Sequence, residues 1–469
     1  MAQVPLRADV SDGDLMLAGF WRNRRDAQLP EEFDAAVLTA ATTSEPDLPA
    51  VDRTEIPLVT LDPPGARDLD QAMHLERHGR GYRVWYAIAD VPAFAPPSGP
   101  VDAESHRRGV TYYCPDRKIP LHPPVLSEDR ASLLADVERP GYLWRIDLDS
   151  DGEVQEAEVE RALVRSRGQY AYDQVQAELR SDTAADVMLL LAEIGTLRLD
   201  AEAARGGVSL ALPRQRVVAD AEGYRLVSEA PEPIEASNAQ ISLLTGMCAA
   251  NIMLDAGVGV LRVMPEPGER ELRQVRTVAR ALGLPWPSAQ GYPDFIRSLD
   301  PLDPRTVPMM TACTTLMRGA AYAMIEPQME LDRHAAVAAP YAHVTAPLRR
   351  LVDRYGLATA AAACAGVPVP EWVLAGLPEL PTLMREADRR ARTVERADVD
   401  LVEAGVLTGR EGETFEAVGL ARRRDATTIQ LVEPAVIAQC AGELPLAEPV
   451  TVRLDRADVE ARTVSFSLV

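Results

Sequence analysis

Two apolar periods divide the chain. LVTL at 58–61 and YRVWYAIADV at 82–91, where Tyr82, Val84, Tyr86 and Ile88 recur at every second position, predict strands. LWRIDLD and EVQEAEVERALVR extend this sheet-rich half. Helical spacing takes over in ADVMLLLAEIGTLRLDAEAAR, EASNAQISLLTGMCAANIMLDAG and RELRQVRTVARALG. The last segment returns to short strands at hairpin spacing (TFEAVGLARRR, ATTIQLV, AVIAQCAG and PVTVRLDRADVEARTVSFSLV), which suits a small β-barrel such as an OB fold. At the other end, residues 11–42 predict helices: SDGD supplies a Ser-x-x-Asp start signal, and Pro30 opens LPEEFDAAVLTAA. The polar, proline-bearing TTSEPDLPAVDRTEIP reads as a linker ending near Pro57. The expectation is a multidomain α+β fold: a helical module at 1–57, of helix-turn-helix or winged-helix type, an α+β domain at 58–400 and a barrel at 404–469.

A chain of 469 residues is too long for one ordinary core, which agrees with that division. No apolar run reaches the roughly 18 residues of a membrane span. MAQVPLRADVSDGD lacks the basic and apolar regions of a secretion signal. A soluble, cytoplasmic protein with no membrane partner is expected, and a monomer. Five scattered cysteines without a C-x-x-C pair read as free thiols. A net charge of −22 opposes a polyanionic partner unless basic side chains are segregated into a channel. All of those basic side chains are arginine except Lys118.

Candidate chemistry concentrates in TLDPPGARDLDQAMHLE, which spaces Asp62, Asp68 and Asp70 around a Pro-Pro-Gly turn. If the stretch after the turn is extended, Asp68 and Asp70 share one face and Leu69 takes the other. Three neighbouring carboxylates repel and tend to protonate unless a divalent cation compensates them, which points to magnesium or manganese. Turn residues capping local amides are the competing account. YAHVTAPLRRLVDRYG carries Arg349 and Arg350, whose planar guanidiniums suit phosphate oxygens, although an exposed helix start explains them equally. In TYYCPDRKIPLHPP only one of Tyr112 and Tyr113 can face a cleft, where a nucleobase could stack on it.

In combination these segments resemble the ribonuclease II and ribonuclease R family. TLDPPGARDLDQA is similar to the family's T-I-D-x-x-x-A-x-D-x-D-D-A, AIADV at 87–91 to its A-I-A-D-V, RGVTYYCPDRKIPLHPPVLS to its R-G-T-S-x-Y-x-P-D-R-x-I-P-M-L-P-x-x-L-S, and YAHVTAPLRRLVD to its Y-x-H-F-T-S-P-I-R-R-Y-x-D. The resemblance implies an RNB-type catalytic domain that processively hydrolyses single-stranded RNA from a free 3′ end to nucleoside 5′-monophosphates with Mg²⁺, Mn²⁺ being a possible substitute. It places Asp62, Asp68 and Asp70 at the family's catalytic, metal-binding aspartates, Arg349 at the arginine on the scissile phosphate, and Tyr113 at the tyrosine that stacks on the terminal base. Arg350 beside it and Glu395, in a looser match to A-E-R-D-V, are further RNA-binding candidates. The terminal barrel resembles the family's RNA-binding OB domain, with Arg422, Arg423 and Arg424 toward the backbone.

The departures are specific. Gln71 stands where the family has a fourth aspartate; its amide oxygen can coordinate metal but brings no charge. An RNA-binding or regulatory member with weakened turnover is therefore the alternative. Ala346 lacks a hydroxyl and Leu351 an aromatic ring that the family carries. The helical N-terminus replaces the usual pair of cold-shock barrels, which implies a more open entrance able to work close to duplex RNA.

Overall fold

The computed structural model describes residues 10–210, 214–220, 223–229, 231–300, 303, 305–326, 333–422, 425–434 and 436–469. In chain order, α1 (Val10–Asp26) and α2 (Ala35–Thr43) precede β1 (Leu58–Asp62), β2 (Gln71–His78), β3 (Gly81–Ala89), α3 (Pro100–Arg108), the short hairpin β4 (Tyr112–Tyr113) and β5 (Lys118–Ile119), β6 (Glu138–Leu148) and β7 (Val154–Ala171). β1 runs antiparallel to β2 and parallel to β7, which closes a barrel in the order β1-β2-β3-β6-β7. The period-2 pattern sorts its side chains between two cores. Tyr82, Val84, Tyr86 and Ile88 of β3 pack with Tyr142, Trp144, Ile146 and Leu148 of β6 in one. Ala87, Ala89, Leu143, Ala162 and Val164 join Leu58 and Leu69 in the other. Full burial of a large apolar side chain such as Leu75 contributes about 1.5–3 kcal/mol.

The helical half covers the first of these cores. After α4 (Tyr172–Arg180) comes α5 (Asp186–Arg205), and then a hairpin of β8 (Arg214–Asp220) and β9 (Gly223–Glu229) that the apolar pattern did not predict. It leads into α6 (Pro233–Ala256). Met188, Leu191 and Ile194 of α5 meet Ile241 and Leu244 of α6 over the barrel wall. The two helices approach closely at Gly195, where a Cβ would lie only 2.4 Å from the Ser237 Cβ. A two-stranded ribbon of β10 (Val260–Val263) and β11 (Ala321–Met324) brackets α7 (Glu269–Ala281), α8 (Tyr292–Arg297) and α9 (Thr306–Cys313). Then follow α10 (Leu351–Ala365), α11 (Glu371–Gly376) and the 28-residue α12 (Leu380–Leu407).

The C-terminal strands form as expected. β12 (Thr414–Arg422), β13 (Ala426–Leu431), β14 (Ile437–Ala441), β15 (Pro449–Asp458) and β16 (Thr463–Leu468) close a five-stranded barrel in the order β12-β13-β14-β16-β15. α12 runs unbroken through the boundary expected at 400–404, and Leu407 at its end enters the barrel core.

At the N-terminus the structure differs from the expected free-standing helical module. α1 lies along α12, with Met16 and Phe20 packed on Leu401 and Val402. α2 sends Val37 and Ala41 into the barrel core. The second helix begins at Ala35, not near Pro30, because the preceding backbone has other partners: buried Arg108 donates to the Glu32 carbonyl at 2.7 Å and stacks 3.6 Å over the Phe33 ring. The polar stretch before β1 is no free linker either. Arg53 N–H donates to the Leu163 carbonyl at 2.9 Å and Leu163 N–H to the Val51 carbonyl at 2.8 Å, so the segment straps the β7 edge. Short apolar content hides such a strap from periodicity, since main-chain bonds and the Arg53–Glu160 ion pair hold it. Among the described residues no helix is long and apolar enough to cross a membrane.

Candidate active site

Asp62 ends β1 and Gln71 opens β2, with a turn from Pro63 to Ala66 between them. Gly65 takes φ +79° with nothing within 4 Å of its missing Cβ, so it serves the turn's backbone alone. Beyond the turn Leu69 is fully buried, its N–H donating to Ser132 Oγ at 3.0 Å and its carbonyl accepting from Leu133 N–H at 3.0 Å. Fixing Leu69 inward directs Asp68 and Asp70 away from that core.

The second half of the site comes from the segment 341–350, far along the chain. Leu348 N–H donates to Asp70 Oδ1 at 2.7 Å, and Gln71 Nε2 donates to the Thr345 carbonyl at 2.5 Å across 274 positions. Gln71 Oε1 accepts from the Tyr86 hydroxyl at 2.8 Å, so its amide ties the start of β2 to this segment through the nitrogen and to β3 through the oxygen. Arg349 stands with Nε 3.5 Å from Asp70 Oδ2 and its side chain 42% exposed, which leaves guanidinium donors facing the cleft. Arg350 turns the other way: its fork holds Asp353 at 2.9 and 2.8 Å and its side chain is largely buried. Two histidines support the segment. His122 Nε2 lies 3.2 Å from the Pro347 carbonyl and His343 Nδ1 2.7 Å from the Tyr322 hydroxyl.

Electrostatics mark Asp62 and Asp70. Burial, reinforced by the Asp68 charge and opposed by Arg349, pushes the Asp62 carboxyl up to about 7. Burial does the same to Asp70 against the pull of Arg349 and the Leu348 amide, again to about 7. Asp62 Oδ2 is buried without a hydrogen-bond partner. Asp68 instead meets Lys118 Nζ at 3.1 Å, and Lys118 also binds Glu128 at 2.6 Å. Among the described residues no three His, Cys, Asp or Glu side chains converge closely enough to cage a metal. The donor chemistry nevertheless fits a hard divalent cation: an orphaned anionic oxygen on Asp62 beside a second buried carboxylate whose charge is only partly compensated.

Tyr113 is 57% exposed, whereas Tyr112 is buried and donates to the Arg108 carbonyl at 2.8 Å, so the hairpin presents one ring to the cleft. Asp68, Arg349 and Asp70 all act on the Tyr113 hydroxyl, which places that ring at the aspartates. Glu395 is exposed on α12 in a cleft it shares with Arg392, Arg396 and Ile437 of the terminal barrel. Arg422 is exposed and donates to the Leu444 carbonyl at 3.1 Å; Arg423 and Arg424 lie outside the described residues. Sequence reasoning missed Lys118 and Glu128 as neighbours of Asp68, and Tyr86 and Thr345 as the partners of Gln71. The one available signal was that Lys118 is the chain's only lysine.

Comparison with known proteins agrees with this geometry. The RNB domain model matches residues 51–357, and the model of the RNase II-type exonuclease C-terminal S1 domain matches 413–469. Ribonuclease R of Escherichia coli is 30% identical over 339 residues, covering 69% of this chain and 41% of that protein; the chain thus spans about two-fifths of that relative. In fold, the chain matches Mycoplasma genitalium RNase R in complex with ribose-methylated single-stranded RNA at a TM-score of 0.88, with 17% identity over 97% of this chain and 78% of the other. It also matches a yeast pseudonuclease at a TM-score of 0.72, with 15% identity over 95% of this chain and 58% of the other. With an RNB match through both halves of the aspartate site and the S1-type barrel behind it, the chain belongs to the ribonuclease II and ribonuclease R family.

Proposed function

We propose that the protein is a 3′-to-5′ exoribonuclease that releases nucleoside 5′-monophosphates from single-stranded RNA. The observation that carries this reading is the meeting of Asp62, Asp68 and Asp70 with Arg349 and Tyr113, residues from three distant segments gathered at one cleft. Water adds to the last phosphorus and the P–O3′ bond breaks, so the phosphate leaves on the 5′ oxygen of the released nucleotide and the new RNA end takes a proton on O3′. Arg349, partly exposed and tethered at Asp70, offers its remaining N–H groups to the charge developing on the phosphate. Tyr113 offers a ring face to the terminal base. Leu348 N–H holds Asp70 in place, so that its second oxygen faces the cleft without reorganisation. A divalent cation bound by Asp62 and Asp70, with Mg²⁺ as the first choice, would supply an activated water and polarise the phosphate.

Arg389, Arg392 and Arg396 of α12 and Arg462 of the terminal barrel line a cleft of about 600 Å³ together with Asp26 and Asp400, so arginines outnumber acids two to one along a surface open to a phosphodiester backbone. That supports RNA over a small phosphodiester as substrate.

The decisive experiment is a denaturing-gel time course on 5′-labelled single-stranded RNA with Mg²⁺, beside an EDTA control. Stepwise shortening from the 3′ end that EDTA abolishes is expected. Intact RNA with measurable binding would replace this reading by the RNA-binding alternative, which Gln71 favours because its amide is taken up in fastening Thr345 and Tyr86. In the same assay Tyr113→Ala is expected to raise KM about 10- to 100-fold, the value of one base-stacking contact, while Tyr113→Trp retains activity. An unchanged KM in Tyr113→Ala would remove the ring from the binding site.

A further inference from the structure

Lys118 occupies a position that no arginine in this chain shares. Its β5 strand pairs with β4 in a register that sets Lys118 directly opposite Tyr113, so both side chains leave the hairpin on the same face. Nζ lies 3.1 Å from Asp68 and 2.6 Å from Glu128, and the side chain is 28% exposed. Glu128 belongs to the helical turn Leu126–Arg130, so it anchors the ammonium independently of Asp68. Two of the three ammonium donors are thus engaged and, among the described residues, the third is free. An ammonium is a compact point charge, closer to a metal ion in size and field than the planar fork of arginine.

The balance of charge indicates what Lys118 does there. Asp62, Asp68, Asp70 and Glu128 against Lys118 and Arg349 leave a formal charge of −2. One divalent cation cancels this; a second would leave +2. Gln71 contributes no charge, and its amide is fastened to Thr345 and Tyr86. We propose that Lys118 takes the place of a second divalent cation at Asp68, so that the site holds one metal ion, at Asp62 and Asp70, and a fixed ammonium beside it. The inference rests on the nuclease reading above and concerns how its site is charged. It accounts for the absence of a three-carboxylate cage among the described residues: Asp68 is committed to Lys118.

The test is Mn²⁺ titration of the metal-stripped full-length chain without RNA, read by the EPR signal of free Mn²⁺ and by calorimetry. Wild type is expected to bind one ion. Lys118→Ala should bind two, because Asp68 and Glu128 are released, and Lys118→Ala combined with Asp68→Asn should return to one. Lys118→Met keeps the side-chain stem, and should also bind two if the alanine variant folds poorly. Two ions in wild type, or a single ion in a folded Lys118→Met, would overturn the inference while leaving the nuclease reading intact. No bound ion in any of these proteins would overturn both, a result that the RNA gel would register separately.

Discussion

Asp70→Asn is expected to lower kcat on the order of 10³-fold while leaving the fold intact. The substituted amide would still accept the Leu348 N–H through its oxygen, so the link between the residue preceding β2 and the segment 341–350 is preserved. What the variant loses is the charge, and what it gains is an NH₂ group directed at Arg349, only 3.5 Å from the native carboxylate. The guanidinium then has no anionic tether, and a cation has one carboxylate fewer. Because burial already opposes ionisation of Asp70, the variant should unfold at a temperature equal to or above wild type at pH 8. Circular dichroism melting beside single-turnover kinetics checks both halves; more than a tenth of wild-type kcat would exclude Asp70 from the chemistry.

The metal-stripped protein should lose on the order of 2 kcal/mol of stability between pH 6 and pH 8. Asp62, Asp70 and Asp398 are each pushed up to about 7, mainly by burial. For a carboxyl raised in the folded state, the stabilising contribution is complete below the unfolded value near 4 and disappears as pH rises through about 7. His122 and His343 act in the opposite sense. Burial, with Arg354 next, brings His122 down to about 3, and burial with Arg350 holds His343 well below its ordinary value. Their contribution is complete above about 6.5 and fades as pH falls below it, which recovers part of the carboxyl effect at pH 6 but none at pH 8. Adding Mg²⁺ should remove the share due to Asp62 and Asp70, leaving that of Asp398, which binds Asn23 on the α1–α12 interface. Chemical denaturation at the two pH values, with and without Mg²⁺, measures this directly. A stability that rises toward pH 8 in the stripped protein would contradict it.

How far the sequence could be read depended on the kind of interaction. Both barrels and the long helices were legible because side-chain alternation or helical spacing writes burial directly into the residue order, as at Tyr82, Val84, Tyr86 and Ile88. The β8–β9 hairpin was missed because VVAD and YRLV are brief and lie among helical segments. Asp62, Asp68, Asp70, Arg349 and Tyr113 were legible as motif positions, and the structure gathers them. The direction of each side chain was not legible. Arg349 and Arg350 are adjacent and chemically identical, yet one faces the cleft and the other closes on Asp353, a distinction set by the turn of the backbone before α10. Gln71 could be read as a missing charge, but its role as a fastener needed the positions of Thr345 and Tyr86, which no local pattern encodes.

The strap from Val51 to Arg53 has a practical consequence for dissecting this protein. A fragment cut at the apparent linker, beginning at Leu58, would strip the N–H and C=O partners from Leu163 in the middle of β7 and uncover that strand's edge. Bare edges of this kind recruit other chains, so such a fragment should self-associate. The smallest piece of the protein that can stand alone therefore starts upstream of the strap, inside what composition alone marks as disposable.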